Sequence, residues 1–306
     1  MKLQRDVFLD EVYNQLKINK DIYVLSADFG AVALDGIRED FKDNFIHCGI
    51  SEQAMFDIGT GLALEGKKVI VYAMGPFISL RAIEQIKCGP AMMKLPMVIL
   101  SVGIGLGYAD AGPTHYATED FACIRAIGGT NIYTPSDNFI TQKLAEKTIV
   151  DGKLNYIRLD RHPTAEINFD SKGFDIKEGF RIIGDYTENK IAIISHGRIL
   201  HNCLKTLNAY KDKCFVVDIY NSKPISEKLI YKLKNISKIL VVDEQTCSGN
   251  LTSAIQEVLS KHNLIKYVKN VSLTERYIFE NGGREYLLKS NKLDENSILN
   301  YFKELL

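Results

Sequence analysis

Two successive α/β units, a larger one with a parallel sheet between helices and a smaller one after it, are predicted by three observations. Short apolar runs rich in β-branched residues recur along the 306 residues, helical periodicity fills the intervals, and one polar stretch near the middle interrupts the pattern. Strands separated by helices imply parallel pairing, because a parallel connection needs a crossover.

The first element is a helix: Phe8, Val12 and Leu16 recur at a spacing of four, with Leu9 and Tyr13 beside them. IYVLSA (22–27) then reads as a buried strand. A helical pattern follows Ser51, and VIVYA (69–73) is the next strand. A helix from about Leu80, strand MVILSV (97–102), a helix near Thr118–Ile127 and a short strand at Asn131–Thr134 continue the alternation. After LNYIRL (154–159), the stretch from Arg161 to Lys190 is richer in polar residues, Gly and Asp and carries Pro163, so the junction between a first domain (1–170) and a second (180–306) is placed there. Beyond it IAIIS (191–195), CFVVDI (214–219) and ILVVD (239–243) are strands, each followed by a helix.

Composition narrows the function classes. With 46% hydrophobic and 25% charged residues the chain falls in the globular range, long enough for two domains. Lysine plus arginine equal aspartate plus glutamate at 38 each, so no net field steers the protein to nucleic acid or to an anionic membrane. The cysteines (Cys48, Cys88, Cys123, Cys203, Cys214, Cys247) form no C-x-x-C pair and most lie in or beside apolar runs, which suits a cytoplasmic protein with neither a zinc site nor a disulfide framework. The opening MKLQRDVFLDEVYNQL mixes charged and apolar residues, so neither a signal peptide nor a membrane span is expected there.

Ligands in open α/β sheets bind beyond the carboxyl ends of the strands, and three loops there carry chemistry-bearing residues. In HCGISEQ (47–53), Glu52 lies at the start of a helix; spacing alone favours an ordinary first-turn residue, preferred there by capping and the helix dipole, over a proton-handling carboxylate. VGIGLGYADAGPTH (102–115) is rich in glycine and ends in Pro113, Thr114 and His115. Its glycines do not form the G-x-G-x-x-G dinucleotide fingerprint, which disfavours a nicotinamide-dependent enzyme, and no P-loop lysine follows. In YIRLDRHP (156–163), Arg158 and Arg161 are placed either to hold a phosphate or carboxylate or to lie as a solvated pair.

Taken in order, VLSADFG (24–30), FIHCGISEQAMFDIGTGLALEG (45–66), RAIEQIK (81–87), AGPTHYATEDFACIRAI (111–127), TPSD (134–137), SHGRILHNC (195–203), VVDIYNSKPIS (216–226) and VVDEQTCSGNLTSAI (241–255) resemble the pyrimidine-binding and C-terminal domains of the transketolase family over nearly the whole chain. The resemblance implies a thiamine-diphosphate-binding fold followed by a transketolase C-terminal-like domain. It places Glu52 on the glutamate that hydrogen-bonds the aminopyrimidine ring of thiamine diphosphate and promotes its imino tautomer, a role suited to a carboxylate in a mostly apolar pocket. It makes Phe77, Arg81 and Ile50 cofactor-binding, Phe77 by packing against the aminopyrimidine. His115 falls on the histidine that faces the substrate beside the reactive carbon, and Asp110, Arg158 and Arg161 on or near substrate contacts, the arginines gripping a phosphate.

Two departures matter. Many members carry an aspartate immediately before the glycine of the G-P-T-H loop, where it reads a sugar hydroxyl; here that position is Ala111 and the nearest acid is Asp110. The family's diphosphate domain, with its G-D-G motif and the magnesium it holds, has no counterpart: the only Gly-Asp pair, Gly184–Asp185, is followed by Tyr186. The resemblance therefore implies a separate diphosphate-binding subunit that holds Mg2+, two copies of each chain forming a heterotetramer, and transfer of a carbon fragment from a ketose or 2-keto donor to an aldehyde acceptor. The alternatives are the beta subunit of a 2-oxo acid dehydrogenase decarboxylating component and an inactive scaffold of the same fold. No catalytic role is assigned to His196, His201 or Glu244.

Overall fold

The computed structural model describes residues 2–27, 30–169, 171–187 and 190–306; Asp28 and Phe29 of the VLSADFG stretch lie outside the described residues. The strands are β1 (Ile22–Ala27), β2 (Phe45–Gly49), β3 (Lys68–Met74), β4 (Met97–Val102), β5 (Thr130–Tyr133), β6 (Leu154–Leu159), β7 (Arg181–Ile183), β8 (Ile191–Ser195), β9 (Cys214–Asp218), β10 (Asn221–Lys223), β11 (Lys238–Thr246) and β12 (Tyr267–Leu273). They form a seven-stranded sheet in the order β10-β5-β6-β4-β3-β1-β2 and a five-stranded sheet in the order β12-β11-β8-β9-β7. Pairing is parallel except for β10 on β5 and β7 on β9. The two α/β layers are therefore those the apolar runs predict.

Helix Gln4–Ile18 buries Phe8, Leu9, Val12 and Leu16 against one face of the first sheet, while Glu52–Leu64 covers the other with Met55, Phe56 and Ala63. Each fully buried Leu or Phe contributes roughly 1.5–3 kcal/mol relative to exposure, enough to explain why β4, buried along its whole length, reads as an almost continuous apolar run, whereas β6, equally buried, carries Asn155 and Arg158. Among the described residues no helix is long and apolar enough to cross a membrane.

The structure differs from the sequence reading at particular elements. Strand β2 is a half-exposed edge whose FIHCG has no alternation to betray it, and β10 is the tripeptide Asn-Ser-Lys, whose pairing comes from tertiary placement rather than propensity. The helix expected from about Leu80 begins earlier, as a wide π turn over Phe77–Arg81 after Pro76, and the one near Thr118–Ile127 contracts to Asp120–Arg125.

Strand β10 also joins the halves, since a segment of the second half completes the first sheet. Buried polar pairs line and cross the seam. Arg181 pairs across it with Asp137 and Arg284 with Asp160, while Arg158 pairs with Asp120, His196 hydrogen-bonds Asp243, and Arg181 and Arg284 also reach Asp218 and Glu244 within their own half. Burial alone would raise the Asp160 carboxyl, but Arg284 and the hydrogen bonds from His162 outweigh it and hold the group well below the usual carboxylate range. A depressed folded-state value means a stabilising contribution that is complete above the unfolded value of about 3.9 and is lost as pH falls through the folded one. Denaturant titrations from pH 6 to pH 3 should show stability falling below about pH 4, with a smaller fall in Asp160→Asn.

Burial pushes the Cys203 thiol up to about 12 and the Cys214 thiol up to about 11. Both should resist iodoacetamide at pH 8 while the exposed Cys88 is alkylated, as read by peptide mass mapping. Rapid alkylation of Cys203 in the folded chain would contradict its place in the core.

Candidate functional site

The carboxyl ends of β2, β3, β4 and β6 open onto one surface. Between β2 and the helix Glu52–Leu64 the chain reverses at Gly49, whose φ of +69° is open to glycine, and the Ser51 N–H donates to the Gly49 carbonyl at 2.8 Å. The turn plants Glu52 at the first helical position, where the dipole favours an anion; Ser51, the expected cap, makes no side-chain capping bond. Glu52 is 3% exposed, yet its surroundings are not wholly apolar: Arg81 Nη1 donates to Glu52 Oε2 at 2.7 Å. The mostly apolar pocket expected for this carboxylate thus includes one cation, Arg81. The physical reason is the π turn, which brings Phe77 and Arg81 onto one face and aims the arginine back at the helix start.

From Glu52 the contacts run on without a break. The Arg81 guanidinium lies 4.2 Å from the Phe77 ring centroid, the Phe77 ring meets the His115 ring edge to face at 5.3 Å, and Tyr108 follows at 6.4 Å from His115. Arg161 then caps Tyr108 at 4.4 Å. His115 Nδ1 shares a hydrogen bond with Thr114 Oγ1 at 2.9 Å. Ile50 is 76% exposed and stands beside Glu52 in the chain, an apolar side chain facing out of the site; Asp110 and Ala111 are exposed in the loop before Gly112.

One expected site residue does not join this line. Arg158, at the same strand end as Arg161, is 1% exposed and its donors are taken: Nε and Nη2 chelate Asp120 at 2.8 and 2.9 Å, and Nη1 reaches Thr134 Oγ1 at 3.2 Å. The Asp120 carboxylate also accepts from the Tyr156 hydroxyl at 2.8 Å. The expectation that Arg158 grips a phosphate is thus corrected, because Arg158 lies inside β6, where the buried Asp120 claims it, while Arg161 follows the strand end in a bend.

Sequence reasoning missed Arg5. It lies in the first turn of helix Gln4–Ile18, beside the Tyr72 hydroxyl, and together with Arg161 it acts on Tyr108, whose phenol burial pushes up to about 12 against the pull of both cations. Its only signal was a basic residue at an amphipathic helix start, and nothing local says that this end docks at a strand terminus. A groove of about 820 Å³ lined by Ile83, Cys88, Met92, Cys123 and Ile127 includes none of these residues. Among the described residues no group of three or more His, Cys, Asp or Glu side chains is placed to hold a metal ion.

The protein is thus an α/β protein with an acid, two arginines, two aromatic rings and a histidine lined up beyond its strand ends. Residues 4–165 match the transketolase pyrimidine binding domain and residues 184–298 the transketolase C-terminal domain, and the chain belongs to the transketolase family, whose members use thiamine diphosphate. It is 28% identical over 264 residues to one subunit of the apulose-4-phosphate transketolase of Phocaeicola vulgatus, covering 84% of each chain. It is 29% identical over 287 residues to a putative transketolase C-terminal section of Methanocaldococcus jannaschii, covering 91% of this chain and 88% of that one. Rat transketolase is 24% identical, and there the match spans 90% of this chain but 46% of the relative. In fold the chain is similar to a solved structure described as a split gene transketolase, inactive beta4 tetramer, with a TM-score of 0.85 at 23% identity over 99% of this chain and 98% of that one.

Proposed function

We propose that this chain is the pyrimidine-binding subunit of a split, thiamine-diphosphate-dependent transketolase, whose diphosphate and Mg2+ are held by a separate subunit. The observation that carries the reading is the continuous line Glu52–Arg81–Phe77–His115–Tyr108–Arg161, assembled from four loops around a buried carboxylate at a helix start. The names of two relatives, one a transketolase subunit and the other a C-terminal section, support a partner that carries the missing domain.

The residues fit half of the cofactor. A buried acceptor, Glu52, is joined through Arg81 to an aromatic ring, Phe77, which suits a flat heteroaromatic ring bearing nitrogen donors, and the exposed Ile50 stands two residues before Glu52. When bound, the cofactor supplies the electron sink for breaking a carbon–carbon bond. Glu52 would share a proton with the pyrimidine ring nitrogen, and Arg81 keeps the carboxylate aimed. Phe77 excludes water from one side of the ring. His115, fixed between Phe77 and Tyr108, donates to or accepts from substrate hydroxyls. Arg161, stacked on Tyr108, with Arg5 in electrostatic reach of the same phenol, holds an anionic substrate end such as a phosphate. Two copies with two partner subunits complete two sites, and the enzyme works in the cytoplasm on small phosphorylated sugars.

Mixing the chain with a diphosphate-domain subunit, thiamine diphosphate and Mg2+ should give fragment transfer from a ketose phosphate to an aldehyde, with none from either subunit alone. In that mixture Arg161→Met should raise KM for a phosphorylated substrate by about ten- to a hundredfold, the loss expected of a charge-assisted hydrogen bond. An unchanged KM would remove Arg161 from the substrate site. Ala111→Asp should improve turnover of ordinary ketose phosphates if the usual aspartate's hydroxyl contact is what this loop lacks; no change would sink that idea.

A further inference from the structure

The loop from Gly103 to Thr118 carries Tyr108 and His115, yet its base is held by the second half of the chain. Gly105 and Ala117 exchange backbone hydrogen bonds at 3.0 Å in both directions, closing the loop on itself. The end of β11 then grips the closed stem in three places. The Leu106 N–H donates to Glu244 Oε1 at 3.0 Å, Gln245 Nε2 donates to the Ala117 carbonyl at 2.7 Å, and the Thr246 N–H donates to the Thr118 carbonyl at 3.0 Å. The approach is so close that a Cβ on Gly105 would sit 2.7 Å from Glu244 Cδ.

Arg284, on helix Gly283–Ser290, ties this grip to the other substrate-facing element. Its Nε donates to Glu244 Oε1 at 3.0 Å and its Nη1 to Asp160 Oδ2 at 2.6 Å. Asp160 is the residue before Arg161 and also accepts from the His162 N–H at 2.7 Å, so it fixes the backbone on both sides of that arginine. All three ionic side chains are buried, Asp160 fully, Glu244 to 5% exposure and Arg284 to 7%. A buried ion triad is weak evidence of stabilisation for its own sake, because desolvation offsets most of the attraction; setting one arrangement of chain segments is its better-attested use. Glu244 touches neither His115 nor Arg161, but it and Arg284 join the elements that carry them.

We propose that Glu244 and Arg284 are positioning residues, through which the C-terminal unit sets the distance and orientation between the His115 loop and the Arg161 strand end. The proposal rests on the reading of His115 and Arg161 as substrate-facing, and it assigns the C-terminal unit a part in substrate recognition beyond assembly. Glu52 and Arg81 take no part in the grip, and Phe77 meets the held loop only through the His115 ring, so the cofactor affinity of the assembled enzyme should change far less than substrate KM.

The test has two arms. In the full-length chain, Glu244→Ala should raise hydrogen exchange in peptides covering 103–118 by about ten- to a hundredfold, the loss of a hydrogen bond to a charged acceptor, while β8 and β3 stay protected. Glu244→Gln, whose amide oxygen still accepts from Leu106, should recover part of the protection. In the enzyme assembled with its partner subunit, Glu244→Ala should raise substrate KM with the Kd for thiamine diphosphate changed far less. A folded Glu244→Ala chain whose loop stays protected overturns the proposal, as does a loosened loop with unchanged KM. If Glu244→Ala does not fold, Gln245→Leu, which removes the donor to the Ala117 carbonyl, carries the same two expectations. Should the wild-type mixture show no transfer activity, the functional reading fails while the exchange arm still decides whether the loop is held this way.

Discussion

Glu52→Gln, assembled with a diphosphate-domain subunit, is expected to lose about a hundredfold or more of its turnover, the lower end of what a positioned proton-transfer group contributes. The amide keeps the shape of the side chain and can still accept from Arg81 at the same place, so packing survives. What it cannot do is take up a proton and return it. Glu52 is 3% exposed and begins a helix whose apolar face is anchored by Met55 and Phe56, so the variant should melt within about a degree or two of the parent. Turnover within about threefold of the parent, in a mixture shown to assemble, would remove Glu52 from the chemistry and favour a scaffold of the same fold.

Arg158→Met should act on stability and leave substrate affinity to other residues. It removes both hydrogen bonds that the fully buried Asp120 carboxylate accepts from the arginine and leaves that charge with the Tyr156 hydroxyl. Truncating one member of a buried pair costs about 3–5 kcal/mol because the other charge stays buried. Urea denaturation should show a drop of that size with a nearly unchanged slope. A variant as stable as the parent but with a raised substrate KM would return Arg158 to the substrate site.

The two arginines show how far the sequence could be read. The α/β alternation came from apolar runs such as MVILSV and IAIIS, which are buried on both faces and announce themselves. Edge elements did not: FIHCG is a half-exposed edge without alternation, and the Asn-Ser-Lys strand pairs with β5, far back along the chain. Glu52, Phe77, Arg81 and His115 fell on matching positions and lie in one line in space, whereas Arg158 and Arg161 share a motif and have opposite surroundings. Spacing alone could not tell them apart, since the deciding group, Asp120, lies on another element. Likewise TPSD and VVDEQT looked like signatures without a role. Their residues weld the halves: the Thr134 N–H donates to the Tyr220 carbonyl, Asp137 caps helix Asn138–Thr148 and pairs with Arg181, and Glu244 and Gln245 hold the His115 loop.

A shared site is the central claim, and calorimetric titration of thiamine diphosphate with Mg2+ tests it most directly, first into this chain alone and then into the chain mixed with a diphosphate-domain subunit. A pyrimidine-side half-site predicts no measurable binding alone and saturable binding, one cofactor per pair of chains, in the mixture. Full binding by the isolated chain, or none in a mixture whose subunits demonstrably associate, would contradict the account.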